Sequence, residues 1–153
     1  MIECVVFMVL RDKHLLIERR RHDKRLDPSI YAIPGGHCQP TESVIDTLER
    51  EMLEELGITA KKTHYICTLL HKPRPYLNIS DDEKSKKEVP LLPKEVIRTD
   101  IQKVHYYAVP QWQGDLLNNE AEQLLWINLE DSHRLDLPVD RTAVQEYLRI
   151  LNY

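Results

Sequence analysis

No apolar run in this chain approaches the roughly 20 residues that a membrane-spanning helix needs. The N-terminal stretch MIECVVFMVL carries no basic leader and breaks at once into Arg11-Asp12-Lys13, so it reads as a strand rather than a signal peptide. Excess positive charge is missing too. The net charge is −4, which argues against broad, non-specific binding to DNA or RNA, and no stable nucleic-acid complex is expected. Cysteine is scarce: Cys4, Cys38 and Cys67 are odd in number and have no metal-ligand spacing. They offer neither a disulfide framework nor a thiolate metal site, and free thiols in a reducing cytosol are expected, with a cytoplasmic location. No internal repeat is present. What is there is a chain of 153 residues, of a size for one domain with a buried core, and a single domain over 1–153 is the expectation.

The pattern along the chain predicts mixed strands and helices. Cys4 to Leu10 is a continuous, valine-rich apolar run suited to a buried strand, and Leu15 to Glu18 returns after a turn at Arg11–His14 to make a hairpin. An extended piece at Tyr31–Ile33 ends at Pro34-Gly35-Gly36, where proline and paired glycines permit a sharp turn. A helix is predicted to start near Thr41 or Ser43, either of which can cap it, with Ile45, Leu48, Met52, Leu53 and Leu56 as its apolar face and Gly57 as its terminator. Further strands are expected at Tyr65–Leu70, Val104–Val109, Leu116–Leu117 and Leu124–Ile127. A last helix capped by Asp140 would bury Val144, Tyr147, Leu148 and Leu151. Mixed strands with one helix in the middle and one at the end suggest an α+β fold, a mixed central sheet sandwiched by helices.

The chemistry concentrates in Gly36 to Ile58, GHCQPTESVIDTLEREMLEELGI. Glu51, Glu54 and Glu55 are spaced three and four residues apart, so they project from one helix face beside the apolar stripe. Carboxylates crowded this way repel one another unless a cation sits among them. Hard oxygen ligands without thiolate or imidazole suit Mg²⁺, with Mn²⁺ able to substitute. Arg50 stands four residues before Glu54, within pairing reach.

This stretch resembles the Nudix box, G-x5-E-x7-R-E-U-x-E-E-x-G-U with U apolar. Gly36, Glu42, Arg50, Glu51, Met52, Glu54, Glu55, Gly57 and Ile58 fill every defined position. The resemblance implies an α/β/α sandwich and a metal-dependent hydrolase of nucleoside diphosphates linked to another moiety. It implies Glu51, Glu54 and Glu55 as metal ligands, joined by the carbonyl of Gly35. It implies that Arg50 orients the glutamates and that Glu42 braces the loop. One glutamate takes the proton from the attacking water, and Glu54 is the expected base, so the catalytic set is Glu54, Glu51 and Arg50. A further metal ligand is expected from the acidic segment Asn118–Glu122 before the Trp126 strand, with Glu120 ahead of Glu122.

Other residues bear on substrate. Arg19 and Arg20 leave a strand that should run towards the site and are candidate phosphate contacts, ahead of Arg21, Lys24 and Arg25. His37 and Cys38 follow the glycines, but a structural histidine and a bystander thiol are the expected roles, and Trp126 is expected in the core. The stretch at about 73–100, with several prolines and the run DDEKSKKE, reads as an insertion, either a lid or a surface loop. Pro73, Pro75 and Tyr76 fall where the resemblance would separate ADP-ribose from dinucleoside polyphosphate substrates, and they do not separate them. The expectation is therefore a nucleotide pyrophosphatase acting on a nucleoside triphosphate, ADP-ribose or a dinucleoside polyphosphate. The alternatives are a non-catalytic nucleotide-sensing module, which loss of a box glutamate would favour, and an isopentenyl-diphosphate-isomerase-like enzyme. A homodimer is also compatible with the resemblance.

Overall fold

The computed structural model describes residues 1–75 and 100–152. The proposed lid falls largely on 76–99, as does Tyr76, and lies outside the described residues. Strands β1 (Ile2–Arg11), β2 (His14–Arg19), β3 (Tyr31–Ala32) and β4 (Gly35–His37) lead into helix α1 (Val44–Leu56). Strands β5 (Thr59–His71), β6 (Gln102–Gln113) and β7 (Gln123–Asn128) follow, then a 3₁₀ turn at Leu129–Arg134 and helix α2 (Pro138–Leu151).

The strands form one mixed sheet in the order β3-β2-β1-β6-β5, with β4 on β1 and β7 on β2. β1 runs parallel to β6 from Ile2 to Val9, and the other pairings are antiparallel. β1 is apolar from Cys4 to Leu10 because both its faces are covered there. Val5, Phe7 and Val9 pack with Leu48, Met52 and Leu56 of α1, while Cys4, Met8 and Leu10 join Ala143, Val144 and Tyr147 of α2. The expected sandwich of helices about a mixed sheet is thus observed.

The topology opens the site. β6 covers one edge of β1, so β2 and β4 share the other: β2 meets it at Leu10 and Arg11, β4 at Cys4 to Val6. The edge parts between them, and a cleft of about 750 Å³ enters there.

Several local expectations are corrected. Gly35 and Gly36 do not make the sharp turn; they lie in β4, and among the described residues positive φ at glycine occurs at Gly57 and Gly114. Their small size serves close approach instead. A Cβ at Gly35 would sit 2.4 Å from the Val5 carbonyl oxygen, and one at Gly36 would sit 2.3 Å from Cδ of Glu51. In α1, Ser43 is the cap, reciprocating with Asp46, and Gly57 ends the helix at φ 68° as expected. Leu53 is 55% exposed because it lies off the 3.6-residue stripe of Leu48, Met52 and Leu56, while Ile45 lies on that stripe but in the first turn of the helix, at the exposed end. Leu116–Leu117 is not a strand; the chain there leaves the sheet to place Leu117 against Gly57. Asp140 does not cap α2. Leu137 occupies that position without a side-chain bond, and Asp140 is buried in the first turn. Leu151 is exposed at the frayed end of α2.

Candidate active site

Four carboxylates from three elements meet at the cleft. α1 supplies Glu51 and Glu55, the loop before β7 supplies Glu120, and β2 supplies Glu18. One carboxylate oxygen from each of Glu51, Glu55 and Glu120 lies within 4.8 Å of the other two. Glu55 is only 7% exposed, and its Oε2 has no hydrogen-bond partner. Burial, followed by the charges of Glu18, Glu120 and Glu51, pushes its pKa far above the carboxylate range. Glu18 is also buried; burial lifts its pKa to about 7, Glu120 and Asp140 push the same way, and Arg20 and Lys24 oppose the rise only in part. At Glu120, burial works to raise the carboxyl, but the hydrogen bond and charge of Lys24 outweigh it and the pKa lies below the ordinary value.

Arg50 binds the acidic face together. Its Nε and Nη2 donate to Glu42 at 2.6 and 2.9 Å, and its Nη1 donates to Glu51 at 2.9 Å and to Glu54 at 3.1 Å. Nη2 also reaches the His37 carbonyl at 3.3 Å, which ties the helix to β4. Glu42 accepts from the Gln39 N–H and from Thr47, and Arg50 above all draws its pKa down to about 2. Glu54 is on the same face, but its side chain is 59% exposed and stands outside the Glu51–Glu55–Glu120 group, linked to it through one guanidinium nitrogen.

The remaining sequence candidates divide. Arg20 lines the cleft, fixed by the carbonyls of Leu26 and Asp27 at 2.9 Å each and 3.6 Å from Glu18. Lys24 and Arg25 line it as well. Arg19 turns away from the cleft lining, its guanidinium 5.8 Å from the Tyr31 ring centre. Glu122 stays on the surface near His22, which leaves Glu120 as the member of the acidic segment at the site. Gly35, Gly36 and His37 all line the cleft. Trp126 packs into the α1-side core, stacked with Trp112 at 6.5 Å beneath Arg11. The cysteines are free.

Glu18 is the residue that sequence reasoning missed. Its signal was faint: an acid two residues beyond Leu16, hence on the same strand face, at the point where an apolar strand turns basic.

The donor set fits a hard divalent cation. It contains oxygen alone, it is partly shielded from water, and it holds a buried oxygen without a donor that no described protein group satisfies. Glu51, Glu55 and Glu120 are the residues that would hold it.

Comparison with known proteins identifies the family. The model of the NUDIX domain matches residues 2–147. CTP pyrophosphohydrolase of Escherichia coli K12 is 25% identical over 151 residues, 98% of this chain and 93% of that protein. The 8-oxo-dGTP diphosphatase of Buchnera aphidicola is 24% identical, over 92% of this chain and 91% of that protein. The crystal structure of a MutT protein from Methanosarcina mazei superposes with a TM-score of 0.73 at 19% identity, covering 99% of this chain and 96% of that one. This chain belongs to the Nudix family of hydrolases. No helix among the described residues is long and apolar enough to cross a membrane.

Proposed function

We propose that this protein is a Mg²⁺-dependent nucleotide pyrophosphatase, with Mn²⁺ able to substitute, and that nucleoside triphosphates are its substrates ahead of ADP-ribose and dinucleoside polyphosphates. The observation that carries the metal dependence is the orphaned Oε2 of buried Glu55 beside the oxygens of Glu51 and Glu120. The names of the two curated relatives, each acting on a nucleoside triphosphate, support the ranking of substrates. A divalent ion held by these carboxylates and the Gly35 carbonyl would neutralise the diphosphate and lower the pKa of a bound water.

The chain's own residues do the rest. Arg20, Lys24 and Arg25 bring positive charge to the same cleft and receive phosphate oxygens, with Arg20 preorganised by two carbonyls. Arg19 is the weaker phosphate candidate because its guanidinium is engaged with Tyr31. Arg50 and Glu42 fix the positions of Glu51 and Glu54. Glu54, tethered next to the cluster yet open to solvent, is the candidate proton acceptor for water and an additional ligand by side-chain rotation.

A panel of nucleoside triphosphates, ADP-ribose and dinucleoside polyphosphates with Mg²⁺ tests this, reading phosphate and pyrophosphate separately. Pyrophosphate released from triphosphates, and lost in Glu55→Gln, is the expected result. Tight nucleotide binding without product would overturn it in favour of a sensor.

A further inference from the structure

The four carboxylates of the cleft are not equally served by the protein's own cations. Glu51 accepts from Arg50 Nη1 at 2.9 Å, and Glu120 is paired with the Lys24 ammonium. The other two, Glu55 and Glu18, are not served in this way. Glu55 has no cation against it among the described residues, and its Oε2 is buried without a partner. The cation beside Glu18 is Arg20, whose Nη1 stands 3.6 Å from Oε1, too far for a hydrogen bond, while its Nε and Nη2 are committed to the carbonyls of Asp27 and Leu26. Both acids are 7% exposed. Carboxylates buried without donors are rare, because little water is there to take a donor's place.

The fold turns these two acids towards one another. Leu16 of β2 packs in the core beneath α1, and Glu18 stands two residues on, so it points to the same side of the sheet. Glu55 is on the side of α1 that meets the sheet, between Met52 and Leu56 of the same core. Both line the cleft, and among the charges acting on Glu55 that of Glu18 is the largest, ahead of Glu120 and Glu51. Glu18 lies outside the group in which oxygens of Glu51, Glu55 and Glu120 approach within 4.8 Å of one another, so it does not share one position with all three. A carboxylate has two oxygens and can serve two cations, and one of Glu55's is unclaimed. If position 18 only closed the core, an apolar side chain would serve, as at Leu15, Leu16 and Ile17 before it.

We propose that Glu18 is a ligand for a second divalent cation, held between β2 and α1 with Glu55 as the shared carboxylate, beside the ion assigned to Glu51, Glu55 and Glu120. This rests on the metal-dependent reading above. A cation there would bring further positive charge to the bound phosphates. β2 then serves the site twice, with Glu18 towards the metal and Arg20, just beyond the strand, towards the phosphates.

Titration of the nucleotide-free protein with Mn²⁺, counting free ion by electron paramagnetic resonance, makes the test. The wild type should bind two ions. Glu18→Gln, of the same size but uncharged, should keep the first and weaken the second by roughly tenfold or more, with a melting temperature that shows it folded. Glu18→Asp keeps the charge and draws the oxygens back by one methylene; it should weaken the second ion too, which loss of charge alone would not do. Glu122→Gln changes a surface acid near His22 and should alter neither ion. A wild type that binds a single ion overturns the proposal and leaves the metal-dependent reading standing, whereas one that binds none removes both. A second affinity that falls by less than that in Glu18→Gln, holds in Glu18→Asp or falls in Glu122→Gln also overturns it.

Discussion

Two buried acids in this protein live under opposite conditions. Asp140 is 2% exposed, and each of its oxygens accepts a hydrogen bond, from the Tyr106 hydroxyl and the Ile33 N–H. Its pKa rises only to about 6, because burial is opposed by those two donors. Glu55 is 7% exposed, faces three like charges and leaves one oxygen without a partner. Folding alone gains nothing from such an arrangement, since a buried polar atom left without a partner costs about 1–3 kcal/mol. The difference separates an acid built into the architecture from one held for a ligand.

Substitution at each site should break in opposite ways. Glu55→Gln replaces a carboxyl that burial and its acidic neighbours hold protonated in the absence of metal with a neutral group of the same size, so the metal-free protein should melt at about the same temperature. Hydrolysis should fall roughly 100- to 1,000-fold, the scale seen when one preorganised electrostatic group is lost. Asp140→Ala should instead unfold more easily in urea, by about 2–4 kcal/mol, because two buried donors lose their acceptor. A Glu55→Gln protein that hydrolyses normally, or an Asp140→Ala protein of unchanged stability, would erase the contrast.

Smaller effects sharpen it. Arg50→Lys keeps the charge but cannot serve Glu42, Glu51, Glu54 and the His37 carbonyl together. Steady-state kinetics should show a loss of roughly 10- to 100-fold, as for groups that orient metal ligands. The smallest effect is on pH. Glu18 has a folded pKa of about 7, above its ordinary value of 4.5, so its contribution to stability is complete below the lower value and is lost as pH rises through the upper one. Chelator-treated protein should therefore lose melting temperature between about pH 5 and about pH 8, and divalent cation should restore it, because the cation favours the ionised carboxylates.

Legibility in the sequence followed locality. Helix α1, its cap to within the pair Thr41 and Ser43, its Gly57 terminus and the spacing of Glu51 and Glu55 are properties of consecutive residues, legible from local pattern. The β1–β2 hairpin was legible for the same reason, though strand ends were not: β5 extends from Thr59 through its bulges. What depended on neighbours distant in the chain stayed hidden. Glu18 looked like the polar end of a strand until β2 brought it to α1, and Asp140 looked like a cap until it met Ile33 and Tyr106 across more than 30 residues. Gly36 carries the clearest lesson. Its dipeptide reads as a turn, whereas the reason for glycine is Glu51, fifteen residues later, pressed against its Cα.

Carboxyl NMR of glutamate-labelled protein titrated with sub-stoichiometric Mn²⁺ tests the cation site most directly. The side-chain carboxyl signals of Glu51, Glu55 and Glu120 should broaden first and together, and Glu55→Gln should abolish that selectivity. Broadening spread over acids away from the cleft, such as exposed Glu122 and half-buried Glu146, with Glu55 untouched, would contradict it.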